Sequence, residues 1–359
     1  MNAVRPELDE IARAADALRA GAFVRLVDGD GAHTIALAVE TADEETIRRL
    51  EATGDFLLVL TPARAQTLKI RLYTRDAIAI RLQPPLDIAR LRAIADPTFD
   101  LAEPLKGPFE TVRENLPETY SAAVKLAKLA GLLPAMLVAN GHFAPADTAT
   151  VSTAAIRDYD SLVVRSLALV TRARVPLDSA ERSEVVAFRA GNGEPEHLAV
   201  LIGDPLPDRP VLVRLHSECF TGDLLGSLKC DCGAQLRGAV ASIARAGGGI
   251  LLYLAQEGRG IGLINKLRAY RLQDQGFDTM EANERLGFES DERLYGIAAR
   301  MLTLLGFKSV RLMTNNPHKV DALRQAGIDV VERVPHSFPP NIHNRSYLQA
   351  KAEKAGHVL

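Results

Sequence analysis

The chain has 359 residues, enough for two domains of ordinary size, and its hydrophobic content of 47% and charged content of 25% are typical of a soluble globular protein. A formal net charge of −2 excludes a broad attraction to nucleic acid or to anionic membranes, so any nucleotide needs a local site. The N-terminus has no signal-peptide pattern, and no apolar run approaches about 18 residues. We expect a cytoplasmic protein with reduced cysteines and neither nucleic acid nor membrane as partner.

The first half alternates helical and strand patterns, which indicates an α/β layer. The proline-rich stretch Asp96–Pro117 is expected to contain loops, and Val170–Arg182 is expected to connect two domains. The predicted elements of this half are a helix Glu7–Ala20, strands Phe23–Val27 and His33–Val39, a helix near Asp43–Ala52, a strand Phe56–Leu60 and a helix–strand pair near Ser121–Val138.

The second half begins with a hairpin pattern and continues with alternating strands and helices. The predicted elements are strands Glu184–Phe188, Leu198–Ile202, Val211–Leu215 and Ile250–Leu254, helices Gly262–Gln275 and Asp291–Leu305, strand Val310–Thr314, helix Pro317–Gln325, strand Val330–Val334 and a helical tail Tyr347–His357. We therefore expect an α/β (α+β) fold with two domains, residues 1–182 and 183–359, each a mixed sheet with packed helices.

All three cysteines of the chain, Cys219, Cys230 and Cys232, lie in one short stretch with the spacing C-x10-C-x-C. Zn2+ with three protein ligands keeps a fourth position for water, so this pattern favours a catalytic metal. Two alternatives stay open at this point: a structural zinc with a histidine as fourth ligand, and buried thiols without metal. A disulfide is disfavoured because three cysteines cannot all pair and nothing indicates an oxidising compartment.

The segment Q-E-G-R-G-I-G, residues 256–262, follows a predicted buried strand. Its glycines let the backbone approach a ligand closely, and Arg259 offers a planar set of donors. The segment matches neither of the two commonest nucleotide-binding motifs, so a tight turn with a solvated arginine is the alternative.

The segment T-N-N-P-H-K, residues 314–319, leads from a predicted strand into a helix. Asn316 suits the N-cap and Pro317 the first helical position, while the free N–H groups and Lys319 attract phosphate. An ordinary capped helix is the alternative. Together with the cysteines, the two segments predict a metal-dependent enzyme that acts on a phosphorylated substrate.

The stretches R-L-H-S-E-C-F-T-G-D, L-K-C-D-C-G-A-Q-L, Q-E-G-R-G-I-G-L-I-N-K, D-T-M-E-A-N, D-E-R and T-N-N-P-H-K-V closely resemble GTP cyclohydrolase II, from about Arg214 to Leu359. That enzyme catalyses the first committed step of riboflavin biosynthesis. The resemblance implies that GTP and water give formate, diphosphate and 2,5-diamino-6-(5-phospho-D-ribosylamino)pyrimidin-4(3H)-one.

The same resemblance implies roles for individual residues. Cys219, Cys230 and Cys232 would hold one zinc ion per subunit, Asp291 would accept a proton, and Arg293 would attack the α-phosphorus. An ion pair of Asp291 with Arg293 that clamps the triphosphate is the alternative to that attack. The residues implied in substrate binding are Arg214, Leu215, His216, Ser217, Glu218, Gln235, Glu257, Gly258, Arg259, Thr279, Thr314 and Lys319.

We expect Mg2+ with the triphosphate, because hard cations commonly accompany triphosphate chemistry. The resemblance further implies a homodimer. A base near the metal is also expected, because three thiolates make zinc a weaker Lewis acid, and Glu218 and Tyr270 are candidates to which the sequence does not assign that role.

The first half resembles 3,4-dihydroxy-2-butanone-4-phosphate synthase in the stretch Ser121–Ala135. The acidic motif of that enzyme falls on residues 27–34, V-D-G-D-G-A-H-T, and its histidine and glutamate fall on Thr119 and Ser121; a later glutamate is Asn140. Because the reaction needs clustered carboxylates for Mg2+ and proton transfer, we expect a folded but inactive domain that serves as scaffold, dimer interface or regulator.

The sequence leaves three other functions open. The first is a bifunctional enzyme that also makes 3,4-dihydroxy-2-butanone 4-phosphate. The second is a non-catalytic zinc protein that binds guanine nucleotides, and the third is a related enzyme that stops before the formyl group leaves.

Overall fold

A computed structural model describes residues 5–140 and 147–339 of the chain. It divides into two compact units. The first contains the described residues up to Leu162 together with Ile264–Glu292, and the second contains Val163–Leu263 and the described residues from Arg293 onward. The sequence-predicted domain boundary between residues 182 and 183 stays a prediction, and the predicted tail Tyr347–His357 lies outside the described residues.

The helices and strands are numbered in chain order. The helices are α1 Arg5–Arg19, α2 Glu44–Glu51, α3 Pro62–Thr67, α4 Ile88–Ala95, α5 Glu118–Leu129, α6 Thr153–Ser166, α7 Cys232–Arg245, α8 Gly262–Asp274, α9 Thr279–Arg285, α10 Gly296–Leu304 and α11 Pro317–Gln325. The strands are β1 Val24–Val27, β2 His33–Ala38, β3 Phe56–Leu60, β4 Ile78–Arg81, β5 Glu110–Thr111, β6 Ala135–Asn140, β7 Ala149–Ser152, β8 Ala168–Arg174, β9 Ser183–Arg189, β10 His197–Gly203, β11 Val211–Ser217, β12 Gly248–Leu254, β13 Ser309–Met313 and β14 Asp329–Val334.

The described strands of the first unit form one seven-stranded sheet with the order β5-β4-β3-β6-β2-β1-β7. All neighbouring pairs are antiparallel except β1 with β7. One apolar stripe of α1, which includes Leu8, Ile11, Ala15 and Leu18, is buried because these residues recur at helical spacing. Helices α1 and α5 cover the sheet and complete its core.

Two helices from the second half of the sequence, α8 and α9, lie largely or wholly in the first unit. Helix α9 begins with a capping box, in which Asp278 accepts from the backbone of Glu281 and the Glu281 side chain accepts from the backbone of Asp278. Helices α3 and α9 pack together. The sequence patterns predicted α8 but not the shorter α9.

The described strands of the second unit form another seven-stranded sheet, with the order β14-β13-β11-β12-β10-β9-β8. The neighbouring pairs β14–β13, β13–β11 and β11–β12 are parallel. The pairs β12–β10, β10–β9 and β9–β8 are antiparallel. Helix α7 packs on β12, and its apolar residues join the strands in a small core. Both units are thus mixed sheets with packed helices, which confirms the predicted fold class.

Two element predictions were wrong. Residues 168–174 form the edge strand β8 rather than a connection, because they pair with β9. The strand is mostly exposed, so its own residues show no apolar pattern from which the pairing could be predicted. The helix expected from Asp291 begins only at Gly296, and residues 291–294 have no regular structure. Among the residues that the structure describes, no helix has both the length and the apolar character to cross a bilayer.

Candidate active site

Three parallel strands of the second unit bring the cysteine segment, the Q-E-G-R-G-I-G segment and the T-N-N-P-H-K segment to one edge. Strands β13, β11 and β12 are neighbours, so their carboxyl ends lie together, and ligands commonly bind at such an edge. Strand β11 ends at Ser217, two residues before Cys219. Strand β12 ends at Leu254, whose carbonyl accepts from the Glu218 N–H at 2.8 Å, and β13 ends at Met313, where T-N-N-P-H-K begins.

The three thiols converge on one point. The sulfur atoms of Cys219, Cys230 and Cys232 all lie within 4.8 Å of one another, and the first two are 3.7 Å apart. Tetrahedral zinc with Zn–S bonds of about 2.3 Å separates its sulfurs by about 3.8 Å. Among the described residues, this group of ligand atoms consists of the thiols alone. The donor set and its spacing therefore fit zinc with three thiolates.

Two glycines make room for this cluster. A Cβ atom on Gly222 would lie 2.8 Å from the Cys230 sulfur and 3.0 Å from the Cys219 sulfur. A Cβ atom on Gly233 would lie 2.3 Å from the Gly222 carbonyl oxygen. Because real Cβ contacts are longer, no side chain fits at either position without moving the sulfurs or the loop that carries them.

Asp223 is a buried carboxylate that connects the cluster to β11 and β12. It accepts hydrogen bonds from the Cys219 N–H at 3.0 Å, from His216 Nε2 at 3.0 Å and from the Tyr253 hydroxyl at 3.1 Å. Burial, and next the charge of Asp223, raise the pKa of Tyr253, so this hydroxyl keeps its proton and donates. Burial lowers the pKa of His216 although Asp223 opposes that shift.

A second polar network surrounds Arg214 on β11. Its Nη1 donates to the Met313 carbonyl at 2.9 Å and its Nη2 donates to Gln235, whose amide in turn donates to Asp231. The Gln235 carbonyl lies 2.9 Å from His336 Nε2. Burial lowers the pKa of Arg214 to about 10, so the guanidinium keeps its charge at neutral pH. The network holds a buried cation at the carboxyl edge.

Lys319 supplies a further cation at the same edge. It is buried near the start of α11 and its Nζ donates to the Leu215 carbonyl at 3.1 Å. The helix start is capped, since the Asn316 side chain accepts from the His318 N–H, and the Thr314 hydroxyl accepts from the Asn316 N–H at 3.0 Å. Thr314, Lys319 and Leu215 therefore lie close together at this edge, and their role in substrate binding stays a prediction.

The Q-E-G-R-G loop has a strained backbone. Gly258 and Arg259 have φ angles of 62° and 65°, and the second is a left-handed conformation that few side chains adopt. Glu257 accepts from the Phe220 N–H at 2.6 Å and from the Gly258 N–H at 2.8 Å. Glu257 therefore ties this loop to the residue that follows the first cysteine.

A buried histidine on β10 supports the start of that loop. His197 Nδ1 accepts from the Ala255 N–H at 3.0 Å, which requires an unprotonated Nδ1. Burial lowers the pKa of His197 to about 4, so the neutral ring persists at neutral pH.

The predicted catalytic pair is divided between the units. Arg293 belongs to the second unit, where its Nη1 lies 3.5 Å from the Ser217 hydroxyl and its guanidinium 5.2 Å from the Tyr295 ring centroid. Asp291 and Thr279 belong to the first unit, Thr279 as the first residue of α9. The additional candidate Tyr270 also belongs to the first unit, and the other predicted site residues belong to the second unit.

Sequence reasoning did not identify several polar residues of this edge: Asp223, Tyr253, His336 and His197. Asp223 lies inside the quoted F-T-G-D stretch, so its place beside a predicted ligand was an available signal. The two histidines are remote in sequence from the motifs, and only the sheet and the loop contacts bring them in.

The chain is similar to known GTP cyclohydrolases. The family model described as GTP cyclohydrolase II matches residues 168–335. A GTP cyclohydrolase-2 of Azospirillum brasilense is 50% identical over 358 residues, which cover 97% of this chain and 93% of that protein. A GTP cyclohydrolase-2 of Histophilus somni is 51% identical over 191 residues, 53% of this chain and 88% of that protein.

Two further matches are to a riboflavin biosynthesis protein and to a solved structure of a synthase. The riboflavin biosynthesis protein RibBA of Chlorobium phaeovibrioides is 47% identical over 66% of this chain and 62% of that protein. A crystal structure of RibBX, a two-domain 3,4-dihydroxy-2-butanone 4-phosphate synthase from A. baumannii, covers 91% of this chain and 99% of that chain with 17% identity. Its TM-score of 0.33 is too low to support any argument. On the family model and the nearly full-length relative, the chain belongs to the GTP cyclohydrolase II family and is an enzyme of that kind.

Proposed function

We propose that the chain hydrolyses GTP to 2,5-diamino-6-(5-phospho-D-ribosylamino)pyrimidin-4(3H)-one, formate and diphosphate, with zinc held by Cys219, Cys230 and Cys232. The observation that carries the proposal is the convergence of the three thiols beside two anion-attracting loops at one sheet edge. A protein that only bound nucleotides would not need a metal position with three thiolates next to them.

When bound, zinc supplies a Lewis acid that activates water for attack on the carbon between the imidazole nitrogens. The chain's own residues hold and orient the reacting groups. Asp223 fixes the backbone of Cys219, and Glu257 fixes the backbone of Phe220, so both sides of the first ligand are held. Gly222 and Gly233 keep the space around the sulfurs open.

The triphosphate needs cations that are already in place. Arg214 and Lys319 are buried cations whose hydrogen bonds to backbone carbonyls hold them at the carboxyl edge. Because a preorganised charge loses little freedom on binding, these residues are suited to bind the phosphates or the guanine oxygen. Mg2+ with the triphosphate belongs to the same proposal.

The release of diphosphate is proposed to involve Arg293 and Asp291. An arginine can attack the α-phosphorus only if a base takes its proton, and Asp291 is the candidate base. The contact of Arg293 with the Ser217 hydroxyl supports a guanidinium directed to the edge where Cys219 follows. An ion-pair clamp on the triphosphate is the alternative role of these two residues.

The first unit is proposed to lack synthase activity. Thr119, at the position of the synthase histidine, and Thr34, at the end of the stretch where its acidic motif falls, are buried, and their hydroxyls share a hydrogen bond of 2.6 Å. Asp28 and Asp30 accept hydrogen bonds within the turn between β1 and β2. Two turn carboxylates and a pair of neutral hydroxyls do not form an acidic Mg2+ site. A homodimer and a cytoplasmic location are part of the proposal.

Product analysis tests the function. The purified chain is incubated with GTP, and formate and the pyrimidine product are measured by enzymatic assay and mass spectrometry. We expect one formate per GTP, loss of turnover with a zinc chelator, recovery on zinc addition, and loss of both zinc and turnover in Cys230→Ser. A product that retains the formyl carbon would instead identify the enzyme that stops early. Full turnover by the zinc-free variant would remove the proposed metal role.

A further inference from the structure

A segment of the family-matched region is built into the first unit. Residues 264–292 pack with the N-terminal half, although the family model matches residues 168–335. This segment carries Tyr270, Thr279 and Asp291. Its attachment consists of specific polar contacts as well as packing, and these contacts can be altered one at a time.

The central contact is an ion pair between Arg268 on α8 and Glu40 in the turn after β2. Arg268 Nη2 lies 2.8 Å from Glu40 Oε1 and its Nη1 lies 3.3 Å from Glu40 Oε2, so the pair is bidentate. The Arg268 Nε also lies 3.5 Å from Asp96. The side chains of Arg268, Glu40 and Asp96 are only 20%, 18% and 15% exposed. A shielded, bidentate pair has more influence on geometry than an exposed one.

Neighbouring groups hold both partners of this pair. Glu40 accepts from the Leu133 N–H at 2.8 Å, and Arg268 Nη1 donates to the Asn265 side chain at 2.7 Å. The Asn265 amide in turn donates to the Gly131 carbonyl at 3.0 Å. The turn between α5 and β6 therefore supports the carboxylate and the helix α8 together.

The end of the segment is attached at a second place. Lys128 on α5 lies 2.6 Å from Glu292, the residue after Asp291. Gly287, with φ +87°, lies so close to the start of α3 that a Cβ atom would be 2.7 Å from the Thr61 hydroxyl. Both ends of the segment are thus anchored in the N-terminal half.

We propose that Arg268 and Glu40 are positioning residues for the GTP reaction, and that the N-terminal half serves to hold residues 264–292. The inference rests on the proposed function, since it assumes that Thr279 and Asp291 act on the substrate. It assigns the N-terminal half a task that requires its fold but no synthase activity. Movement of a positioned group by about 1 Å costs up to about 100-fold in rate.

The test uses the full chain with Glu40→Gln, Arg268→Gln and the double variant. Each single variant is expected to lower kcat about 10- to 100-fold. The double variant should lose little more than either single variant, because both changes remove the same contact. Zinc content, measured by elemental analysis, should stay unchanged. Arg268→Lys should recover part of kcat.

A matched control is the ion pair of Arg157 with Glu118 in the same unit, which has a length of 2.7 Å but is largely exposed. Glu118→Gln and Arg157→Gln should leave kcat within about twofold, as expected for an exposed pair.

Hydrogen exchange gives a readout that does not need activity. Amide protection in residues 264–292 should fall in Glu40→Gln and Arg268→Gln and stay unchanged in the control variants. Folded Glu40→Gln and Arg268→Gln variants with wild-type kcat, or with wild-type protection in this segment, would overturn the proposal. Absence of formate release from GTP by the wild-type chain would remove the proposed function, and the exchange result would still decide whether the anchor exists.

Discussion

At the scale of single residues, Asp223 connects the thiol cluster to two strands. Its carboxylate accepts from the Cys219 backbone, the His216 ring and the Tyr253 hydroxyl. Groups that orient a metal ligand commonly change metal affinity 10- to 100-fold when they are removed. We therefore expect Asp223 to orient the first metal ligand, Cys219.

Asp223→Asn tests this connection. The amide has a single accepting oxygen and no charge, so it cannot serve all three donors, and we expect zinc affinity to fall about 10- to 100-fold. Competition with a chromogenic chelator measures the affinity. Tyr253→Phe removes one donor only and should have a smaller effect. Equal zinc affinity in Asp223→Asn and wild type would show that the carboxylate does not orient Cys219.

Gly222→Ala tests the space around the sulfurs. The added methyl group would meet two sulfurs at 3.0 Å or less, and overpacking of this kind costs about 1–3 kcal/mol. We expect zinc affinity to fall about tenfold or more, while the apo chain stays folded. Gly29→Ala is the control, because its Cβ atom would meet nothing within 4 Å. Undiminished zinc affinity in Gly222→Ala would contradict the proposed crowding.

At the scale of elements, the antiparallel strand β10 supports the loop after β12. The support comes from His197, which needs its neutral form to accept from Ala255. The pKa of this ring is about 4 in the folded chain and 6.5 in a free side chain. As pH falls from 6.5 to 4, the unfolded chain takes up a proton that the folded chain does not, so the free energy of unfolding decreases.

His197→Asn tests that dependence. Asparagine keeps an acceptor near the Nδ1 position but has no titrating ring. From pH 7 to pH 5.5 the wild type should lose about 1 kcal/mol more stability than the variant, by linkage at this one site. Urea unfolding at the two pH values measures it. Parallel losses in the two proteins would show that the ring titrates normally.

The elements also show why two predictions were wrong. Strand β8 is mostly exposed, and only its pairing with β9 identifies it as a strand. A pattern within residues 168–174 does not contain that information. The stripe from Ile297 to Leu305 correctly indicated a helix, and Leu294 extends the same spacing towards Asp291. Residues 291–294 are nevertheless irregular and only partly buried, so the apolar spacing alone did not fix where the helix begins.

At the scale of the whole molecule, the first unit has an extensive buried core, although residues 27–34 and 119–121 do not carry the acidic and histidine motifs of a synthase. Its sheet is covered by α1 and α5, and the two helices α8 and α9 are added to it. A fold can persist after its chemistry is lost when burial, rather than the catalytic side chains, supplies its stability.

The full chain is therefore expected not to convert ribulose 5-phosphate in the presence of Mg2+. Thr34 and Thr119 occupy each other's hydrogen-bonding groups, and no acidic cluster replaces them among the described residues. Formation of 3,4-dihydroxy-2-butanone 4-phosphate is measured by mass spectrometry, with GTP turnover of the same preparation as the control. Synthase turnover at an enzyme-like rate would establish the bifunctional alternative.

The sequence by itself determined the family, the three candidate metal ligands and the fold class of mixed sheets with packed helices, and it predicted two loops suited to anions. These features are local, because ligand spacing, helix caps and strand runs are each complete within a few residues. Only the tertiary structure decided that Asp223, His197 and His336 belong to the same edge, and that residues 264–292 are held by the N-terminal half. Those facts depend on strand order and on contacts such as Arg268 with Glu40, which join residues far apart in the chain.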